Sequence, residues 1–172
     1  MKKITVLLAD DHVVVLQGLR MLLEMDAQIR VVGQARNGRE AVKMARALRP
    51  DVILMDIAMP VLNGLEATRQ ILAANPAAKV LVLSAHSDDE YIECVIALGA
   101  AGFLQKRTSA EILTKAVRKV SRGDRFFSRA ILKRMAHYKA IVRLRRLAQA
   151  ARPAAAAGRK KGGPARRGRK GR

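Results

Sequence analysis

Three aspartates, a serine and a lysine carry the chemistry legible in this chain. Asp10 and Asp11 end the apolar run Ile4–Ala9, Asp56 ends Val52–Met55, Ser84 ends Val80–Leu83, and Lys106 follows GFLQ. A carboxylate at the rim of an apolar segment costs desolvation energy unless a cation or a reaction compensates. Three carboxylates brought together repel each other, and a hard divalent cation resolves the repulsion. Mg²⁺ takes oxygen ligands and retains waters, so one or two carboxylates and a phosphoryl oxygen suffice. Lys106 adds a point positive charge suited to phosphate. Ser84 offers a hydroxyl donor, and Ala85 after it leaves room. A carboxylate nucleophile, a metal, an ammonium and a hydroxyl around one transition state can accept a phosphoryl group.

These residues meet only if the chain between them builds the right scaffold. Apolar strands are expected at Ile4–Ala9, Val31–Ala35, Val52–Met55, Val80–Leu83 and Ala101–Leu104. Helical patterns alternate with them: Val13–Met25 (with Val15, Leu19, Leu22 and Leu23 on one face), Arg39–Leu48, Leu65–Ala74, Asp88–Leu98 and Ser109–Arg122. Strands that are nearly all apolar, alternating with helices, predict a parallel sheet covered on both faces. In such sheets ligands sit outside the carboxyl ends of the strands, where the strand order reverses. All five polar residues fall at those ends.

The order and wording of these motifs are similar to the receiver domain of bacterial two-component response regulators. LLADDH, VILMDIAMPVLNG, VLVLSA and GAAGFLQK match in order over residues 3–122, and their wording resembles the NarL/FixJ class. The resemblance implies a doubly wound five-stranded flavodoxin/CheY-like fold. It implies that Asp56, exposed at a sheet edge, takes a phosphoryl group from the phosphohistidine of a sensor histidine kinase. Asp11, Asp56 and the main-chain carbonyl of Ala58 would bind Mg²⁺, with Asp10 contributing directly or through water. Lys106 would pair with the phosphoryl group, Ser84 would hydrogen-bond it, and Phe103 would rotate inward behind it. Arg107 departs from the pattern, since many receivers have proline there, often after a cis bond. Phosphatases of related fold place a second acid two residues after the nucleophile. Ala58 stands at that position, so a signalling protein with slow self-dephosphorylation is expected rather than an enzyme.

The net charge of +20 is unevenly placed. Residues 1–128 hold 18 Lys/Arg and all 14 Asp/Glu, whereas residues 129–172 hold 16 Lys/Arg and no acid. The second part is a polycation and attracts polyanions, nucleic acid first. The organisation expected is a receiver at 1–122, a linker at 123–128, a basic helix at 129–150 capped by Ser128, and a disordered tail at 151–172. Ile131, Met135, Tyr138 and Val142 give that helix a partial apolar stripe. The cations taken as nucleic-acid contacts are Arg143, Arg145, Arg146, Lys160, Lys161, Arg166, Arg167, Arg169 and Lys170. The LuxR-type helix-turn-helix usual in the NarL/FixJ class needs about 60 patterned residues, and no such pattern follows Ser128. The alternative is a stand-alone receiver that signals through protein contacts, with the helix serving dimerisation or docking and the tail without function.

A single cysteine, Cys94, allows no intrachain disulfide and suits a reducing compartment. The apolar run after MKK is too short for a signal or a membrane span, so a cytoplasmic protein is expected. Taken alone, Cys94 reads as core, His12 as a loop or helix-start residue, and His86 and His137 as surface residues. Asn63-Gly64 reads as a turn launching a helix.

Overall fold

The computed structural model describes residues 2–85, 89–129 and 131–133. The chain divides into a compact unit, Met1–Ala136, and a second unit, His137–Arg172; every described residue lies in the first. The helix expected at 129–150 is described only at its start. The rest of it, the basic tail, all nine named cations, His86 and His137 lie outside the described residues.

The elements alternate as read: β1 (Ile4–Ala9), α1 (Val13–Glu24), β2 (Ile29–Ala35), α2 (Gly38–Leu48), β3 (Val52–Asp56), α3 (Gly64–Ala74), β4 (Val80–Ser84), α4 (Asp89–Leu98), β5 (Gly102–Gln105) and α5 (Ala110–Ser121). All neighbouring strands are parallel, in the order β2-β1-β3-β4-β5. The order reverses between β1 and β3, so a crevice opens at the carboxyl ends of those two strands.

The central strands are buried at every residue of β3 and β4, which is why their sequences are unbroken apolar runs ending in one polar residue each. Successive side chains go to opposite faces. Leu7, Ala9, Ile53, Met55, Val80, Val82 and Phe103 join one apolar layer with residues of α2, α3 and α4. Val6, Leu8, Val52, Leu54, Leu81, Leu83 and Leu104 join the other with residues of α1 and α5. Burying each such side chain is worth about 1.5–3 kcal/mol, so the two layers supply most of the stabilisation.

Local signals set the helix starts. Asn37 Oδ1 accepts the Glu40 N–H at 2.9 Å, and Glu40 Oε2 accepts the Arg36 N–H at 2.8 Å, a reciprocal cap on α2. Asn63 caps α3 through the Glu66 N–H at 2.9 Å, and Ser109 caps α5. The Asn63-Gly64 turn therefore launches a helix as its sequence implied.

One expectation about packing fails. Cys94 is exposed, because α4 turns Ile92, Val95 and Ile96 inward and Cys94 falls on the opposite side of the helix. On α1 the expected face holds, with Leu23 buried and Leu19 and Leu22 packed against the core, and Leu16 joins it. Among the described residues no helix is long and apolar enough to cross a membrane.

Candidate functional site

Sheet register brings the aspartates together. Ala9 pairs with Met55 across β1 and β3, so Asp10 and Asp56, the next residues, leave the sheet side by side. Asp56 pairs with Leu83, and Ser84 pairs with Gln105, which puts Ser84 and Lys106 on the same rim. The Lys106 N–H donates to the Ser84 carbonyl at 2.8 Å and fixes the turn that presents its side chain. The Lys106–Arg107 peptide is trans, as are the other described bonds.

At the centre one ammonium serves two carboxylates. Lys106 Nζ lies 2.6 Å from Asp10 Oδ2 and 2.9 Å from Asp56 Oδ2. The Ile57 N–H donates to Asp56 Oδ1 at 2.9 Å, and the His12 N–H donates to Asp10 Oδ1 at 2.9 Å. Asp10, Asp56 and Ser84 are all buried. An exposed Asp56 was expected; it is instead 3% exposed, because the Lys106 stem and the loop carrying buried Ile57 and Met59 close over it.

Burial pushes the Asp56 carboxyl above its ordinary range; the Lys106 ammonium opposes the rise and Asp10 adds to it. For Lys106, burial disfavours the charge, but Asp10 and Asp56 outweigh it and hold the ammonium above the usual lysine value. The lysine stays charged, and its charge favours an ionised Asp56.

The donor set fits a hard cation. One ligand atom each from Asp10, Asp11, His12 and Asp56 lie within 4.8 Å of one another. Asp11 Oδ1 and Asp56 Oδ2 are buried oxygens that accept no aligned hydrogen bond, having only ion-pair contacts with His12 and Lys106. Several carboxylate oxygens in one concavity, sharing a single ammonium, have lone pairs that a divalent ion would satisfy.

His12 was read only as a helix-start residue, and it is the N-cap of α1. Its ring also reaches the cluster, with Nδ1 at 3.1 Å from Asp10 Oδ1 and 2.9 Å from Asp11 Oδ1. Its place directly after the Asp pair was the available signal. Gly64 was missed as a site residue too. A Cβ there would stand 1.8 Å from the Asp56 carbonyl oxygen, so α3 can begin against β3 only with glycine. The Gly64 N–H, donating to the Ile57 carbonyl at 2.9 Å, closes the loop between them.

Phe103 lies on β5 three residues before Lys106, 4% exposed, in the layer shared with α4. Ala58, whose carbonyl was expected to face a metal, is exposed in the loop after Asp56.

Known proteins resemble this chain in sequence and fold. Residues 6–118 match the family of response regulator receiver domains. The chain is 41% identical over 124 residues to the transcriptional regulatory protein DegU of Brevibacillus brevis, covering 72% of this chain and 52% of that protein. It is 41% identical over 134 residues to the response regulator GacA of Pseudomonas aeruginosa, covering 77% of this chain and 62% of that protein. The chain thus spans between half and two thirds of the length of these curated relatives. Among solved structures, the receiver domain of the response regulator NarL from Mycobacterium tuberculosis superposes with a TM-score of 0.69 at 31% identity, over 72% of this chain and 99% of that one. A LuxR-family two-component response regulator from Aurantimonas sp. SI85-9A1 gives 0.73 at 29% identity, over 81% and 99%. This chain belongs to the family of response regulator receiver domains.

Proposed function

We propose that the protein is a response regulator whose Asp56 accepts a phosphoryl group from a sensor histidine kinase. The observation that carries the reading is the shared Lys106 ammonium between Asp10 and Asp56, in a concavity where ligand atoms of Asp10, Asp11, His12 and Asp56 lie within 4.8 Å of one another. An Asp56 carboxylate oxygen attacks phosphorus as the bond to the donor histidine nitrogen breaks. Lys106 leaves its carboxylates for the phosphoryl oxygens, and the Ser84 hydroxyl donates to one of them. Phe103 fills the space behind Ser84. Asp11, Asp56 and the Ala58 carbonyl would hold Mg²⁺, with Asp10 directly or through water. When bound, the ion neutralises charge developing on the phosphoryl oxygens. Ala58 supplies no second acid or base, so hydrolysis of the aspartyl phosphate is slow.

The test is phosphorylation by a small acyl phosphate with Mg²⁺, followed by intact mass. Wild type should gain one phosphoryl group and Asp56→Asn should gain none. Equal uptake by both would remove the assignment.

For the output, the basic segment favours an electrostatic nucleic-acid arm over a purely protein-binding receiver. Sixteen cations without an acid at 129–172 would contact phosphates without reading sequence. That would place the protein in the cytoplasm as a transcription regulator, alone or as a homodimer. Anisotropy of a labelled duplex across a salt series checks it: binding should weaken steeply with salt. Salt-independent binding, or none, favours protein partners instead.

A further inference from the structure

We propose that Phe126, Phe127 and Ile131 form a latch on the outer edge of β5 that restrains phosphoryl acceptance at Asp56 and is loosened by it. Occupancy of Asp56 would thereby be passed to the start of the basic segment. The proposal rests on the phosphoacceptor reading above.

β5 is the last strand of the sheet, and one edge of it would otherwise be open. Phe126 closes that edge. Its N–H donates to the Ala101 carbonyl at 2.9 Å, and its carbonyl accepts the Phe103 N–H at 3.0 Å. The contact is a parallel bridge opposite Gly102. A Cβ on Gly102 would stand 2.5 Å from the Phe126 oxygen and 2.7 Å from Leu81 Cδ1, so this approach needs glycine. The segment read as a linker is therefore hydrogen-bonded to the sheet.

The residues that follow go inward. Phe127 and Ile131 are 9% and 7% exposed and belong to the same apolar cluster as Phe103, Ile92, Val95 and Ile96. The Ile131 N–H donates to Ser128 Oγ at 3.3 Å, and the Leu132 N–H to the Ser128 carbonyl at 2.9 Å, so a helical turn starts there.

β5 is thus held on both edges. On one side it is in register with β4, whose last residue is Ser84. On the other it is pinned by Phe126. Lys106 lies about 13 Å along the strand direction from Gly102. In this proposal a phosphoryl group draws Lys106 from Asp10, brings Ser84 closer and shifts β5 against β4. A strand pinned on its far edge by Phe126, with Phe103 in the same apolar cluster as Phe127 and Ile131, resists that movement. Releasing the latch should therefore favour occupancy, and occupancy should release the latch by the same factor.

The test uses the full 172-residue chain with beryllium fluoride and Mg²⁺ as the phosphoryl mimic, read by amide hydrogen exchange. The mimic should speed exchange at Phe103 and Phe126 by about fivefold or more. Phe127→Ala and Gly102→Ala should each bind the mimic about fivefold or more tightly than wild type. If a variant fails to fold, the wild-type exchange result decides. The latch is overturned if Ser84 and Lys106 amides respond to the mimic while Phe103 and Phe126 exchange as before and folded variants bind like wild type. That result leaves the phosphoacceptor reading standing. If Ser84 and Lys106 respond no more in wild type than in Asp56→Asn, the phosphoacceptor reading falls and the latch with it.

Discussion

Lys106 bridges Asp10 and Asp56, so a single ammonium from the end of β5 ties together the carboxyl ends of β1 and β3. Without it, two buried carboxylates face each other with no counter-charge. Lys106→Met should cost about 2–4 kcal/mol in chelator-treated protein, the range for stripping one partner from a buried ion pair. Millimolar Mg²⁺ should recover more stability in the variant than in wild type, because a ligand of the folded state stabilises by mass action. Urea denaturation with and without the ion reads both effects.

Gly64→Ala places a methyl group in the Asp56 carbonyl. The clash is with backbone, so α3 must move away from β3. We expect a loss of about 3 kcal/mol or more. Whatever folded protein remains should bind beryllium fluoride poorly, because the Gly64–Ile57 hydrogen bond that shapes the loop is disturbed.

At the opposite end of the sheet, Asp51 Oδ2 accepts the Thr5 N–H at 2.8 Å and the Thr5 Oγ1–H at 2.7 Å, while Thr5 Oγ1 accepts the Asp51 N–H at 2.9 Å. Burial raises the Asp51 pKa, but the two Thr5 donors outweigh it and hold it below the ordinary value. A carboxylate with a lowered folded pKa contributes stability that is present above the unfolded value of about 3.9 and lost as pH falls through the folded one. Thr5→Val should therefore cost about 1–2 kcal/mol at neutral pH. The gap from wild type should narrow below about pH 4. A gap that stays constant through that range would sink the carboxylate account.

Val61 has φ 67° and is 72% exposed, in the loop between Asp56 and α3. A β-branched residue in the left-handed region is strained, and no burial compensates here. Val61→Asn should raise stability by about 1 kcal/mol, since asparagine tolerates that conformation without glycine's entropy cost. Thermal melts should show the midpoint rising by a few degrees; a fall would mean the Val61 side chain holds the loop.

The scaffold was legible because doubly buried strands must be apolar: Val52–Met55 and Val80–Leu83 have no other reading beside their turn residues. The site was legible because its polar residues end those runs. What escaped depends on distances that spacing does not encode. That Asp56 is buried follows from the reach of Lys106. The face of α1 was legible in Leu19, Leu22 and Leu23, and only Leu16 escaped because VVVL is apolar all round. The Phe126-Phe127 pair followed Gly123 and Asp124, which read as a linker, and only the sheet order shows that an open edge awaited it. Arg30, exposed on edge strand β2, hid the start of that strand.

The alternation of side chains along β1, β3, β4 and β5 divides the interior into two rooms with a shared wall. Phe103 opens into the room of α2, α3 and α4, whereas its neighbour Leu104 opens into that of α1 and α5. A rotation at Phe103 would therefore disturb the packing of α2, α3 and α4 before that of α1 and α5.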